Sequence, residues 1–237
     1  MYDGRSLFTK RTMIQLLLLA IAPIMVVLIF IYIKDKYEKE PFKFLFKNFL
    51  LGATISIIIT FALTIIANQF IYIDDLEELI KNFINAFIMV AFVEELSKYL
   101  IVRFYAQRNA EFNEPFDGIV YAVMVSMGFA ALENVLYVYQ HGFGTGIIRA
   151  FTAVPAHATF GILMGYFMGK AKFSHNRIVL NLTGLLAATL FHGAYDFFLF
   201  IDSIPGIAAG AFISLIIGIL LSRKAIKRHQ NASNFKV

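Results

Sequence analysis

The stretch NFINAFIMVAFVEELSKYLIVRFY, residues 82–105, is apolar over a length that crosses a bilayer, yet it carries Glu94, Glu95 and Lys98 in its middle. An ionised side chain at bilayer depth costs about 2.5–3.5 kcal/mol on insertion scales. A membrane segment that keeps two adjacent carboxylates is expected to use them. The rest of the chain supports the membrane reading. Of its 237 residues, 59% are hydrophobic, and the mean hydropathy is +0.71, whereas soluble domains sit near 45–50% apolar. There is no cysteine, which excludes a disulfide framework and a thiolate metal site. The net charge of +5 fits basic cytoplasmic loops rather than nucleic-acid binding.

At about 20 residues per crossing, seven spans are predicted, near 13–33, 48–72, 82–105, 117–139, 147–169, 178–201 and 204–222. The fold class is all-α: a polytopic transmembrane helical bundle of about seven spans, six to eight at the limits. It forms one transmembrane domain over 1–237, with a four-helix catalytic core over about 82–201. Ser203-Ile204-Pro205 is a tight turn, which leaves a re-entrant element open for the last two spans. The first span is longer than a signal-peptide core and is expected to be retained. Lys and Arg gather in 34–47, 103–116, 170–177 and 223–237, and the acidic Asp74–Glu78 lies on the other side. The positive-inside rule then gives a cytoplasmic C-terminus and an external N-terminus. Arg5, Lys10 and Arg11 run against this assignment at the first span.

With that topology, four spans deliver ionisable groups to one layer. At 1.5 Å per residue, Glu94 lies roughly 18 Å from the outer surface, Glu133 about 11 Å, His157 about 15 Å and His192 about 14 Å. Such groups face the bundle interior and pair with each other. Glu94 with Lys98, and His192 with Asp196, are spaced i,i+4 and share a helix face. Asn134 follows Glu133, and Pro155 is expected to kink the fifth span beside His157. Gly161, Gly165 and Gly169 form a strip for close helix packing. Four acids against Lys98 as the one permanent cation imply a shared proton or a charged histidine. Plainer readings stand beside these: Glu94–Lys98 as a structural ion pair, His192–Asp196 as a helix-locking bond, His157 as a packed core histidine. Asp117 reads as an N-cap. His141, His175 and His229 fall in loops or tail and carry no signal.

Carboxylates, histidines and an amide in a membrane cavity suit peptide hydrolysis. A carboxylate takes a proton from water, and a histidine or asparagine donates to the developing oxyanion. The His-Glu-x-x-His, Gly-x-Gly-Asp and Gly-x-Ser-x-Gly signatures of other intramembrane proteases are missing. A proton-coupled transporter or channel uses similar groups at midplane, but no inverted repeat of spans is visible. An inactive binding scaffold is the third reading.

Glu94-Glu95-Leu-Ser-Lys98, Pro115-Phe-Asp117-Gly-Ile-Val-Tyr121, Gly128-Phe-Ala-Ala-Leu-Glu133-Asn134, Pro155-Ala-His157-Ala and His192-Gly-Ala-Tyr-Asp196 resemble, in order and spacing, the PrsW family. That family is related to the CPBP glutamic intramembrane proteases. Lys98 stands one position early for the arginine of the CPBP pattern, and Ala153 stands at its phenylalanine position; both departures favour PrsW. The resemblance implies a bacterial plasma-membrane protease that makes the first, extracytoplasmic cut in a single-pass anti-sigma factor and starts a stress response. It implies Glu94 and Glu95 as general base and partner, with His157, His192 and Asp196 binding the water or the oxyanion. Lys98, Glu133 and Asn134 are supporting residues. No cofactor is expected; were Zn²⁺ bound, His157, His192, Glu94 and Glu133 would be its ligands. The expected partners are a membrane-protein substrate and the lipid bilayer, with no nucleic acid.

Overall fold

In the computed structural model, residues 4–236 are described, with side chains from Met13 onward. The side chains of Arg5, Lys10 and Arg11 therefore lie outside the described residues. Nine α-helices run from α1 (Gly4–Lys34) through α2 (Phe42–Leu51), α3 (Ile57–Phe70), α4 (Glu78–Ile84), α5 (Val93–Phe104), α6 (Pro115–Phe151), α7 (Ala153–Lys172) and α8 (Arg177–Phe200) to α9 (Ala209–Asn231). Wide π-helical turns over Gly52–Ser56 and Asn85–Phe92 join α2 to α3 and α4 to α5. The result is seven rods among the described residues, with no strand. Among the described residues, five stretches are long and apolar enough to cross a membrane: Met13–Lys34, Phe42–Phe70, Pro115–Lys172, Arg177–Phe200 and Ala209–Asn231. The Pro115–Lys172 stretch is an antiparallel helix pair. The 78–104 rod falls outside that set because Glu94, Glu95 and Lys98 interrupt its apolar run.

The centre of the bundle is α6, buried on nearly every side from Phe116 to Ala131. Its most extensive partner is α7. Small residues allow this approach: a Cβ on Gly118 would fall about 2.5 Å from the backbone of Gly169, and one on Gly161 about 3.0 Å from Ser126 Cβ. Gly118 faces Gly165 and Gly169 while Ala122 and Ser126 face Gly161, so the two helices run in opposite directions with a fixed register. The glycine strip read from the sequence thus lies against α6, where backbones rather than side chains meet. Around this pair stand α1, the α2–α3 rod, α5, α8 and α9.

The basic connections meet at one end of the bundle. Asn113 Nδ2 donates to Glu38 (3.0 Å), Lys172 Nζ to the Gln107 carbonyl (2.7 Å) and Gln230 Nε2 to the Lys34 carbonyl (2.6 Å). Here too lies a group of buried acids. Burial pushes the Asp35 carboxyl up to about 6. Burial also raises Glu40, with the Asp117 carboxylate beside it adding to the rise, and raises Glu114.

Five sequence expectations are corrected. Pro155 does not kink a span at depth. It sits in the first turn of α7, where its missing N–H is not needed, and the chain instead breaks at Thr152 (φ −122°, ψ −75°) and at Gly142 (φ 82°). The fifth span begins at Ala153 rather than 147, because α6 continues past its predicted end. The last rod runs to Asn231, and Ile201–Ala208 form a turn between two full helices rather than a re-entrant loop. His229 consequently lies on α9, buried against the Tyr166 ring at 4.4 Å between centroids. Asp117 is not the N-cap: Glu114 holds that place, and Asp117 at the third helical position completes the reciprocal capping box.

Candidate active site

The π-helical stretch Asn85–Phe92 ends immediately before Val93, and the turn that follows carries Glu94 and Glu95. Such insertions turn a helix face and gather at functional positions. Below this turn Ser97 Oγ donates to the Glu94 carbonyl (2.7 Å), and Ser56 and Thr60 of the neighbouring rod reach Ser97 at 2.6 and 2.9 Å. This hydroxyl cluster ties α3 to the backbone beneath the two acids.

The two glutamates part company at their side chains. Glu95 is fully buried, while Glu94 keeps 13% of its side chain open and lines a cavity of about 410 Å³. Lys98 Nζ is 2.7 Å from Glu95 Oε1, 3.3 Å from Glu94 Oε2 and 3.4 Å from His157 Nδ1, and it lies over the Phe129 ring. The sequence reading paired Lys98 with Glu94 alone and left Glu95 without a partner in its own helix. The shorter contact is with Glu95, because the i,i+3 spacing reaches the same face as i,i+4.

Each histidine has one ring nitrogen toward the α5 charges and the other on a carboxylate. His157 Nε2 meets Glu133 Oε2 at 2.8 Å. His192 Nδ1 meets Glu95 Oε1 at 2.9 Å, and its Nε2 meets Asp196 Oδ2 at 3.2 Å. The rings themselves are 5.4 Å apart, and Phe160 stacks on His192 at 4.7 Å. A donor from α6 fixes the start of this layout: Ser126 Oγ bonds the His157 carbonyl at 2.7 Å. Four helices thus supply one connected polar network, with Glu94, Glu133, His157, His192 and Asp196 on the cavity wall.

Asn134 lies one residue further on and outside the wall. Its amide donates to the Ala20 carbonyl of α1 (2.8 Å), and its oxygen accepts from Arg149 Nε (2.7 Å). Arg149 was missed by the sequence reading. It stands on the segment after Gly142, lines the cavity, and pairs with Glu133 Oε2 at 3.0 Å. The one available signal was a permanent charge at the third residue of the predicted span 147–169. Its presence changes the charge balance: Lys98 is not the sole permanent cation facing the four acids. Tyr137 and Tyr195 also line the cavity, and neither was assigned a role from the sequence.

Glu94, Glu95, His157 and His192 offer ligand atoms all within 4.8 Å of one another. Glu95, not Glu133, stands with Glu94 and the two histidines in this group. Glu133 instead occupies the outer nitrogen of His157, as Asp196 does for His192. Carboxylates on the outer nitrogens are the usual support of histidine metal ligands, so the donor set fits a divalent metal. Against this, the Lys98 ammonium already stands among the same atoms.

The site lies toward the end of the bundle opposite the basic loops: its wall includes Thr152 and Ala153 at the α6–α7 break, Phe200 at the end of α8 and Ala211 at the start of α9. Acids, histidines and an arginine around one cavity inside a multi-pass helical bundle are the groups a membrane-embedded hydrolase needs. The comparisons narrow that class. Residues 40–222 match the model of the PrsW family intramembrane metalloproteases. The chain is 38% identical over 203 residues to Protease PrsW of Geobacillus kaustophilus, covering 85% of this chain and 87% of that one. It is 40% identical over 188 residues to Protease PrsW of Oceanobacillus iheyensis (79% and 84%) and 35% identical over 181 residues to that of Bacillus subtilis (76% and 80%). No solved structure matches. The chain belongs to the PrsW family: it is a multi-pass membrane protein and an intramembrane peptidase.

Proposed function

We propose that the chain cleaves a single-pass membrane protein by a glutamic mechanism, with Glu94 as general base. The observation that carries this reading is the split between the two acids: Glu94 faces the cavity while Glu95 is sealed between Lys98 and His192. Glu94 takes a proton from water, and the hydroxide adds to the scissile carbonyl carbon. The oxyanion that forms needs a donor. Arg149 uses two of its five N–H groups' directions on Glu133 and Asn134 and has others to spare, so it meets the oxyanion. Protonated Glu94 then gives its proton to the leaving amine as the C–N bond breaks. Glu95 with Lys98 and His192, and Glu133 with His157, hold the site in shape. The site's position away from the basic end favours an extracytoplasmic cut, with the C-terminus cytoplasmic in a bacterial plasma membrane. An anti-sigma factor is the substrate class this reading assigns.

The test is cleavage of a co-reconstituted single-pass substrate in liposomes. Glu94→Gln should lower the rate by about 10²–10⁴-fold, the usual worth of a general base. An active Glu94→Gln protein sinks the mechanism.

A second reading is favoured by the carboxylates on the outer nitrogens of both histidines and by the metalloprotease description of the family. His157, His192, Glu94 and Glu95 would then hold a divalent ion such as Zn²⁺, which supplies Lewis-acid polarisation and a more acidic bound water. Lys98 would have to turn away from its present place. Metal analysis of purified protein separates the two readings.

A further inference from the structure

Where the end of α5 meets the α7–α8 turn, cations come together without acids. Arg103 Nη1 donates to Gln107 Oε1 at 2.9 Å, and Arg177 Nη2 donates to the same oxygen at 3.5 Å. Lys172 Nζ donates to the Gln107 backbone carbonyl at 2.7 Å. Three cations, from α5, α7 and α8, thus converge on one neutral residue. Gln107 is fully buried and fixed in place, its amide donating to the Met168 carbonyl (2.8 Å) and to Asn181 Oδ1 (2.9 Å).

No carboxylate answers these charges. Among the described residues, ion pairs occur between Lys81 and Asp74 and within the hydrolytic site, and nowhere else. Two guanidinium groups on one amide oxygen repel each other, and both keep N–H donors to spare. Arg177 Nε is buried with no acceptor at all. Basic loops are ordinary in a membrane protein, but that rule does not draw three cations onto one buried amide. Two further features favour an anion here. Helix α8 begins at Arg177 with no acid in its first turn and no side-chain cap from Asn176, so its leading N–H groups add positive potential at the same place. From that point an exposed apolar strip of Ile178, Leu182, Leu186 and Leu190 runs along α8 at one-turn spacing.

We propose that this cluster binds the phosphodiester headgroup of an anionic phospholipid, with Arg103, Lys172 and Arg177 as its ligands and the α8 strip carrying an acyl chain. Basic pockets between membrane helices take such headgroups, and a guanidinium matches phosphate through paired N–H donors. The apolar strip leading away from the charges selects a lipid over a free anion. The headgroup supplies the missing counter-charge and ties α5 to the α7–α8 turn. This site is separate from the hydrolytic one and does not depend on how that one works.

The experiment uses the full chain, delipidated in a neutral maltoside detergent. Dioleoylphosphatidylglycerol, dioleoylphosphatidylcholine or inorganic phosphate is added. Bound lipid is counted by native mass spectrometry, and the unfolding midpoint is followed by circular dichroism. The expected result is saturable binding of phosphatidylglycerol in preference to phosphatidylcholine, with a midpoint that rises as it binds. A basic residue beside an anionic lipid is worth about fivefold in affinity, so Arg103→Gln or Arg177→Gln should weaken binding about fivefold and the pair together about 25–30-fold. Lys224→Gln with Lys227→Gln removes two exposed cations of α9 at the same end and should leave binding unchanged. Equal binding of the two lipids, binding unchanged in the double arginine variant, or a response to inorganic phosphate alone overturns the proposal. A midpoint lowered equally with and without lipid in the arginine variants makes the cluster a purely structural network and overturns it as well.

Discussion

Lys98→Met is the most informative single change in the hydrolytic site. The methionine keeps the length and most of the volume of lysine and removes its charge. Lys98 is buried, and its ammonium contacts two carboxylates, at 2.7 Å to Glu95 and 3.3 Å to Glu94. Removing one partner of a buried ion pair leaves an uncompensated charge and costs about 3–5 kcal/mol. Glu95 suffers most, since it is fully enclosed and keeps only His192. At about 2–4 °C per kcal/mol for a chain of this size, the unfolding midpoint should fall by roughly 6–20 °C. Glu95→Gln added to Lys98→Met removes the orphaned charge, so the double variant should regain a large part of that loss. A coupling of about 1–3 kcal/mol is expected between the two positions. The assay is thermal unfolding in detergent, followed by circular dichroism, for the two single variants and the double. If Lys98→Met moves the midpoint by less than about 2 °C, or if the two changes simply add, Lys98 is not the charge that holds Glu95 in place.

Arg149→Gln should lower cleavage by about 10²–10³-fold, as loss of an oxyanion donor does, and should lower the unfolding midpoint as well, since Glu133 loses its ion-pair partner; Arg149→Lys should restore part of both, and equal activity of Arg149→Gln in a liposome assay rejects the assigned role. Gly165→Val should destabilise by at least about 1–3 kcal/mol through overpacking, because the Gly118–Ile119 backbone of α6 lies against that position; an unchanged midpoint would mean the helices separate easily there. Chelation by EDTA should leave cleavage intact under the glutamic mechanism, whereas loss restored by Zn²⁺, with zinc found in the purified protein by mass spectrometry, transfers the site to the metal reading.

The sequence by itself determined the membrane bundle and the residues with chemistry in them. A bilayer demands about 20 apolar residues per crossing, and that demand is written along the chain without reference to partners. Charges inside such segments stand out for the same reason, so Glu94, Glu95, Glu133, His157, His192 and Asp196 were legible one span at a time, and a shared depth followed from counting residues. The motifs that resemble PrsW gave the family from the same letters. Contacts between elements were not legible. Whether Glu94 or Glu95 faces water depends on where α8 lays His192, and adjacent residues look alike until that helix is packed. Glu133, read as a supporting residue, meets the outer nitrogen of His157 because α6 and α7 pack through glycines that fix their register. Arg149 reached the site only because the helix breaks at Gly142 and again at Thr152, and a break of that kind is set by what packs around it. The buried acids at the basic end came from segments that read as an ordinary charged loop and a helix cap. Only the closure of α6 against the first connection buried them together, since burial is a property of the assembled bundle and not of any stretch of it.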